Sequence, residues 1–165
     1  MPATYEPIAT TTLGSAAATI TFSSIASSWT DLRLVLIGTS SAGGSGYCRF
    51  NSDSGTNYSI TYLRGDGSTA SSVRSTNYDR VGFNGDNGIS TTIPSMATID
   101  IFSYAGSTNK TCLTTSPQDM NGSGSYEATV ALWRNTAAIT SITLSLSGGN
   151  FASGYTATLY GIKNA

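Results

Sequence analysis

The sequence predicts an all-β protein, an antiparallel β-sandwich of jelly-roll type with about 8–10 strands, formed by residues 1–165 as one domain. Three observations carry this expectation. Apolar residues recur with a period of two wherever they cluster. Turn-forming residues interrupt the chain at short, regular intervals. No segment carries the 3.6-residue apolar stripe of an amphipathic helix.

The strands follow in order. Residues 1–10 form a short N-terminal arm, with an edge strand near 5–10 blunted by Pro7. A strand near 17–22 comes next. In "DLRLVLIG", Leu32, Leu34 and Leu36 alternate with Arg33, Val35 and Ile37, a run apolar enough to be covered on both faces. Further strands are expected near 46–51, 58–63, 80–84, 96–103, 110–115 and 126–133. "ITLSLS" places Ile142, Leu144 and Leu146 on one face, and "YTATLYGI" (155–162) closes the series. Between them, "TSSAGGSG" (39–46), "SDSG" (52–55), "GDGS" (65–68), "NGDNG" (84–88), "NGSG" (121–124) and "SGG" (147–149) supply the Gly, Asn and Asp that turns need. "WRNTAAITSI" (133–142) has room for one helical turn capped by Asn135 or Thr136. "RFNSDSGTNYSITYLRGDGSTA" (49–70) reads as a β-hairpin.

Charge restricts the partners. Only 10% of the residues are charged, and 8 Lys and Arg nearly cancel 9 Asp and Glu. Without a Lys/Arg cluster there is no footprint for nucleic acid and no polybasic patch for a membrane surface. No stretch approaches the roughly 18 apolar residues that a membrane helix requires. Low self-repulsion on a Ser-, Thr- and Gly-rich surface favours association. "MPATYEPIAT" lacks the basic and apolar regions of a secretory signal, so folding in a cytoplasm is expected. Cys48 and Cys112 lie in strand-like runs and read as buried thiols, with a disulfide left open.

Catalytic groups are scarce. The chain has no histidine, and Glu6 and Glu127 are its only glutamates. Asp31, Asp53, Asp66, Asp86 and Asp119 have turn or cap neighbours. Asp100 and Glu127 sit within strands and are expected to point outward, Asp100 because Ile99 and Ile101 take the other face. No catalytic residue and no cofactor is therefore assigned, and the chain reads as non-enzymatic. Asn51, Asp53 and Asn57 offer oxygen atoms in "NSDSGTN", but one carboxylate without an EF-hand pattern does not make a metal site. Arg64-Gly65-Asp66 runs into Gly67, which marks a turn before it marks an adhesion motif. The sequons at Asn57, Asn109 and Asn121 matter only on a secretory route. Nine tyrosines and two tryptophans suit interfaces or sugar platforms. Trp133 in "VALW" is expected in the core, and Tyr58, Tyr62 and Tyr78 near the surface.

The series "YEPIATTTLGSAAATITFSSI", "WTDLRLVL", "FNSDSGTNYS" and "ALWRNTAAITSITLSLSGGNFASGYTATLYGIK" resembles a family of small virion proteins of tailed bacteriophages. The resemblance runs from Tyr5 to Lys163 and rests on strand starts and turns, including the closing "TLYGIK" strand. It implies a β-sandwich structural protein, located on the virion after assembly in the host cytoplasm. Its partners would be other copies of itself, as a dimer or trimer, and phage capsid or tail proteins. As a capsid decoration or cement protein, the chain would make its contacts through Pro2, Thr4 and Tyr5 of the arm and through two loops carrying Gly43, Gly44 and Asn87. As a tail or fibre adhesin, it would bind a host-surface glycan through Asn57, Tyr58, Arg64, Asp66 and Tyr78.

Overall fold

The computed structural model describes residues 4–85 and 87–163. Pro2, one of the expected arm contacts, lies outside the described residues, as does Asp86. The described chain forms β1 (Tyr5–Thr12), β2 (Thr19–Phe22), β3 (Asp31–Gly38), β4 (Gly46–Phe50), β5 (Tyr58–Gly65), β6 (Ala70–Tyr78), β7 (Val81–Phe83), β8 (Ser95–Ile101), β9 (Lys110–Asp119), β10 (Gly124–Trp133), β11 (Ile142–Leu146) and β12 (Thr156–Ile162). One sheet has eight strands in the order β1-β12-β3-β8-β9-β10-β5-β6, and the other has four in the order β2-β11-β4-β7. Neighbouring strands pair antiparallel throughout both sheets.

The fold is thus the all-β sandwich that alternation predicts. Twelve strands divided eight and four exceed the expected 8–10, and the order does not spell out the eight-strand plan of a simple jelly roll. The core lies where the inner faces meet. Leu32, Leu34 and Leu36 of β3, Ile99 and Ile101 of β8 and Leu159 of β12 face Ile20, Phe22, Phe50, Ile142 and Leu144 from the smaller sheet. Cys48 and Cys112 are buried free thiols, one in each sheet. Burial raises both above the ordinary thiol range.

Three local expectations need correction. The segment 49–70 is not one hairpin. β4 belongs to the small sheet and β5 to the large one, so residues 51–57 cross between layers. The hairpin is β5–β6, closed by Asp66–Thr69, and β6 was not expected at all. Its sequence, "ASSVRSTNY", carries no apolar alternation because it is an edge strand with exposed positions along both faces. The helical turn proposed at 133–142 is absent. That segment continues β10 to Trp133 and then runs as a loop into β11.

The crossing at 51–57 is fixed by side chains. Asn51 and Ser52 take left-handed backbone conformations, with φ of 50° and 59°. The Asn51 amide donates to Ala138 O, and its oxygen accepts from the backbone of Thr140 and Ser141. Asp53 caps the turn by accepting from Gly55 N and Asn57 Nδ2, and it accepts from the Trp133 indole Nε1 at 2.7 Å. Burial alone would raise the Asp53 carboxyl, but the Trp133, Asn57 and Gly55 donors outweigh it and hold it below the usual carboxylate range. Trp133 in turn packs its ring against Phe50 and Tyr58, with centroids 5.6 and 6.3 Å away.

Truncating this anchor should be costly. Trp133→Ala is expected to lose about 3–5 kcal/mol, because it empties a buried ring volume. Trp133→Phe keeps most of the ring but strips Asp53 of its indole donor, for a smaller loss of about 1–3 kcal/mol. Urea unfolding of the two variants checks the order. A Trp133→Phe midpoint equal to that of the unaltered protein would show that the Asp53 bond contributes nothing.

Candidate functional site

Two surfaces stand out, a cleft at the edge of the small sheet and the open outer face of the large one. The first arises because four strands cannot cover eight. β7 is the edge of the small sheet, and β5 and β6 extend past it. In the step between the layers lies a cleft of about 290 Å³. Its floor is the inner face of β5 and β10, with Tyr62, Glu127 and Thr129. Its wall is Tyr78 at the end of β6, Arg80 in the turn that follows and Gly82 of β7, together with Tyr47 of β4. Tyr47 pairs with Gly82, which presents no side chain to its ring.

Glu127 is the unexpected member. In β10 it shares a face with Thr129, Ala131 and Trp133, so it points inward and is buried, against the outward orientation predicted for it. Burial raises its carboxyl above the ordinary glutamate range, while the Gly85 backbone N–H, the Thr129 hydroxyl and the charge of Arg64 pull the other way. Arg64 lies directly across the ladder from it. Arg80 is fixed by a bond from its Nε to Asp79 at 2.6 Å, and Asp79 also receives Arg49. The Arg80 guanidinium lies 4.4 Å from the Tyr47 ring centre and 5.6 Å from that of Tyr78.

The second surface is the outer face of the large sheet. Six large apolar side chains stand on it: Leu63 is 62% exposed, Tyr126 53%, Ile37 45%, Val130 45%, Leu113 44% and Met96 40%. Ladder partners place these residues on one side, Ile37 beside Met96, Leu113 beside Val130, and Leu63 beside Ala128. Asp100 points to this side as predicted, and Arg33 neutralises it through two bonds of 2.5 and 2.8 Å. Thr10 pairs with Thr158, and Thr98 with Thr115, hydroxyl to hydroxyl.

The residues singled out in the sequence fare unevenly. The five proposed for glycan contact do not converge. Tyr58 is fully buried, and its hydroxyl donates to Asp53 O, which corrects its surface placement. Asn57 is spent on Asp53. Arg64 and Asp66 lie at the far end of β5, roughly 20 Å from Tyr58 at strand spacing. Asp66 caps its own turn, accepting from Ser68 N at 2.9 Å and Thr69 N at 2.6 Å, and these backbone donors bring its carboxyl down to about 2. Only Tyr78 reaches the cleft.

Of the proposed contacts, Gly44 packs against Gly148, while Gly43 is approached at its carbonyl and has open space where a Cβ would stand. A Cβ on Gly44 would stand 2.1 Å from Gly148 O, and one on Gly88 would stand 1.9 Å from Gly43 O, so these loops pack on each other. Asn87 is exposed and donates to Ser125 Oγ. Thr4 is exposed, and its carbonyl accepts from Lys163 N. Tyr5 is 42% exposed and stacks on Tyr160 at 4.7 Å. Strand parity would have found Glu127. It lies six residues before Trp133 in one strand, so a core tryptophan turns that glutamate inward too.

The buried carboxylate should leave a mark on stability. Folding raises the Glu127 value, so its contribution favours the fold below the ordinary glutamate range and is lost as pH rises through the folded value. Glu127→Gln is therefore expected to unfold at a higher urea concentration than the unaltered protein at neutral pH. That gap should shrink toward zero as the pH falls to about 4, where the free carboxyl titrates. A gap that is constant with pH would contradict the assignment.

No family model matches this chain, and no curated protein or solved structure shows significant similarity to it.

Proposed function

We propose that the chain is a non-enzymatic structural subunit of a tailed-phage virion, acting as a capsid decoration or cement protein that works in many copies. The class is suggested by the sequence resemblance. The observation that carries the structural role is the outer face of the large sheet, which exposes six large apolar side chains, with Leu113 next to the neutralised Arg33–Asp100 pair. Exposed apolar surface of this kind is what a protein contact uses, and it is unfavourable to leave in water. The first occupant of that face is another copy of the chain. With 8 basic against 9 acidic residues there is little net charge to repel a second copy or to steer an oppositely charged partner. A face can also meet its own copy about a two-fold axis. Contacts to capsid proteins would add to this, with Thr4, Tyr5 and Asn87 still exposed at the surface.

The non-enzymatic reading is supported by the cleft itself. Among the described residues, Glu127 is the one carboxylate that lines it, whereas a glycoside hydrolase works with a pair. The same cleft favours a second reading, a tail or fibre adhesin domain that holds a host-surface glycan. The two readings share a fold and differ in where the copies sit.

Leu63→Lys combined with Val130→Lys is expected to leave the fold intact, since both side chains are exposed, and to abolish concentration-dependent self-association in sedimentation. Cryo-EM of purified particles should place many copies on the icosahedral shell. Density for a few copies at the tail tip would replace the decoration reading with the adhesin one, and absence from particles would end both.

A further inference from the structure

We infer that the cleft between β5, β10 and the β7 edge is a binding site for one neutral pyranose ring, a hexose or an N-acetylhexosamine. Its residues are Tyr47, Tyr62, Tyr78, Arg80, Glu127 and Thr129. The site lies apart from the apolar contact face and does not depend on where the chain sits in a particle.

The chemistry of the lining selects the ligand. A sugar ring offers apolar C–H faces and a rim of hydroxyls that both donate and accept. Tyrosine rings supply the matching faces with a polar tip. Tyr62 lies on the floor between Thr129 and Val73, its ladder partners on either side. Glu127 accepts hydroxyl protons, Thr129 both donates and accepts, and Arg80 donates from a guanidinium whose position Asp79 and two tyrosine rings fix.

The site is built rather than incidental. Glu127 is only 5% exposed, and it is held from the Gly85 backbone and from Thr129 Oγ1 at 3.4 Å. A carboxylate kept in such a place costs stability unless hydrogen bonds and a counter-charge offset its burial. Charge does not favour an ionic ligand, because the described lining carries one basic and one acidic side chain, Arg80 and Glu127. Arg64 faces Glu127 across the strands, and Arg80 is matched by Asp79. The volume, about 290 Å³, sits at the small end for ligand pockets and suits one ring more than a long chain.

The test uses the full chain, isotope-labelled for NMR and titrated with methyl glucoside, methyl galactoside, methyl mannoside and N-acetylglucosamine. The expected result is saturable shifts from at least one of these sugars, centred on Tyr47, Tyr62 and Gly85. Tyr62→Ala and Glu127→Gln should each weaken that binding by about tenfold or more, a change of roughly 1.4 kcal/mol. Tyr62→Phe should largely retain it. Glu127→Gln conserves shape and carries the test should Tyr62→Ala unfold. The Leu63→Lys, Val130→Lys variant should bind as the unaltered protein does, which separates this site from the contact face. Absence of saturable shifts with all four sugars would overturn the inference. So would shifts that map elsewhere, or unchanged affinity in folded Tyr62→Ala and Glu127→Gln.

Discussion

The widths of the two sheets are unequal, and most of the molecule's surface character follows from that mismatch. Eight strands present an inner face that four strands can only half cover. Across β3, β8 and β12 the inner residues are mainly Leu, Ile and Ala and are buried, whereas β9 places buried Thr114, Ser116 and Gln118 on the same face. Towards the β7 edge the same face turns polar, to Tyr62, Arg64, Glu127 and Thr129, of which Glu127 and Thr129 are themselves buried. The cleft is therefore not carved into the fold. It is the step left where one layer ends before the other.

A step of this kind needs the layers held in fixed relation, and the 51–57 crossing provides that. Phe50 ends a strand of the small sheet and Tyr58 begins one of the large sheet, so this connection must be rigid to set the offset. Asp53, locked by the indole of Trp133, and Asn51, which grips Ala138, Thr140 and Ser141, make it so. Arg134 adds bonds to Thr56 O and Thr76 O, tying in the strand that overhangs. A loop whose acidic and amide groups suggested a ligand is thus an internal brace.

Legibility in the sequence tracked cover. β3 and β11 were readable because both lie under a partner layer, so Leu32, Leu34 and Leu36, and Ile142, Leu144 and Leu146, put an apolar residue at every second position. β6 was invisible for the opposite reason, since its inner face has no layer above it to demand apolar residues. β10 misled in a more instructive way. Its outer positions, Tyr126, Val130 and Leu132, are more apolar than its inner Glu127 and Thr129, so reading faces by hydrophobicity inverts it. Placement by parity from Trp133 corrects this. The cleft needed knowledge of pairing, because Tyr47, Tyr62, Tyr78 and Glu127 come from strands that only the sheet order brings together.

The edges of the large sheet carry a last consequence. At one end β1 has Pro7 and a break in register between Pro7 and Ala9. At the other, β6 is short of apolar residues and carries Arg74 among serines. Both edges are poor templates for adding another strand, the route by which sheets grow without limit into fibrils. Growth through a face is different, since one face meets one face and the surface is used up. A protein that exposes this much apolar area at high local concentration can then remain a finite assembly rather than an aggregate.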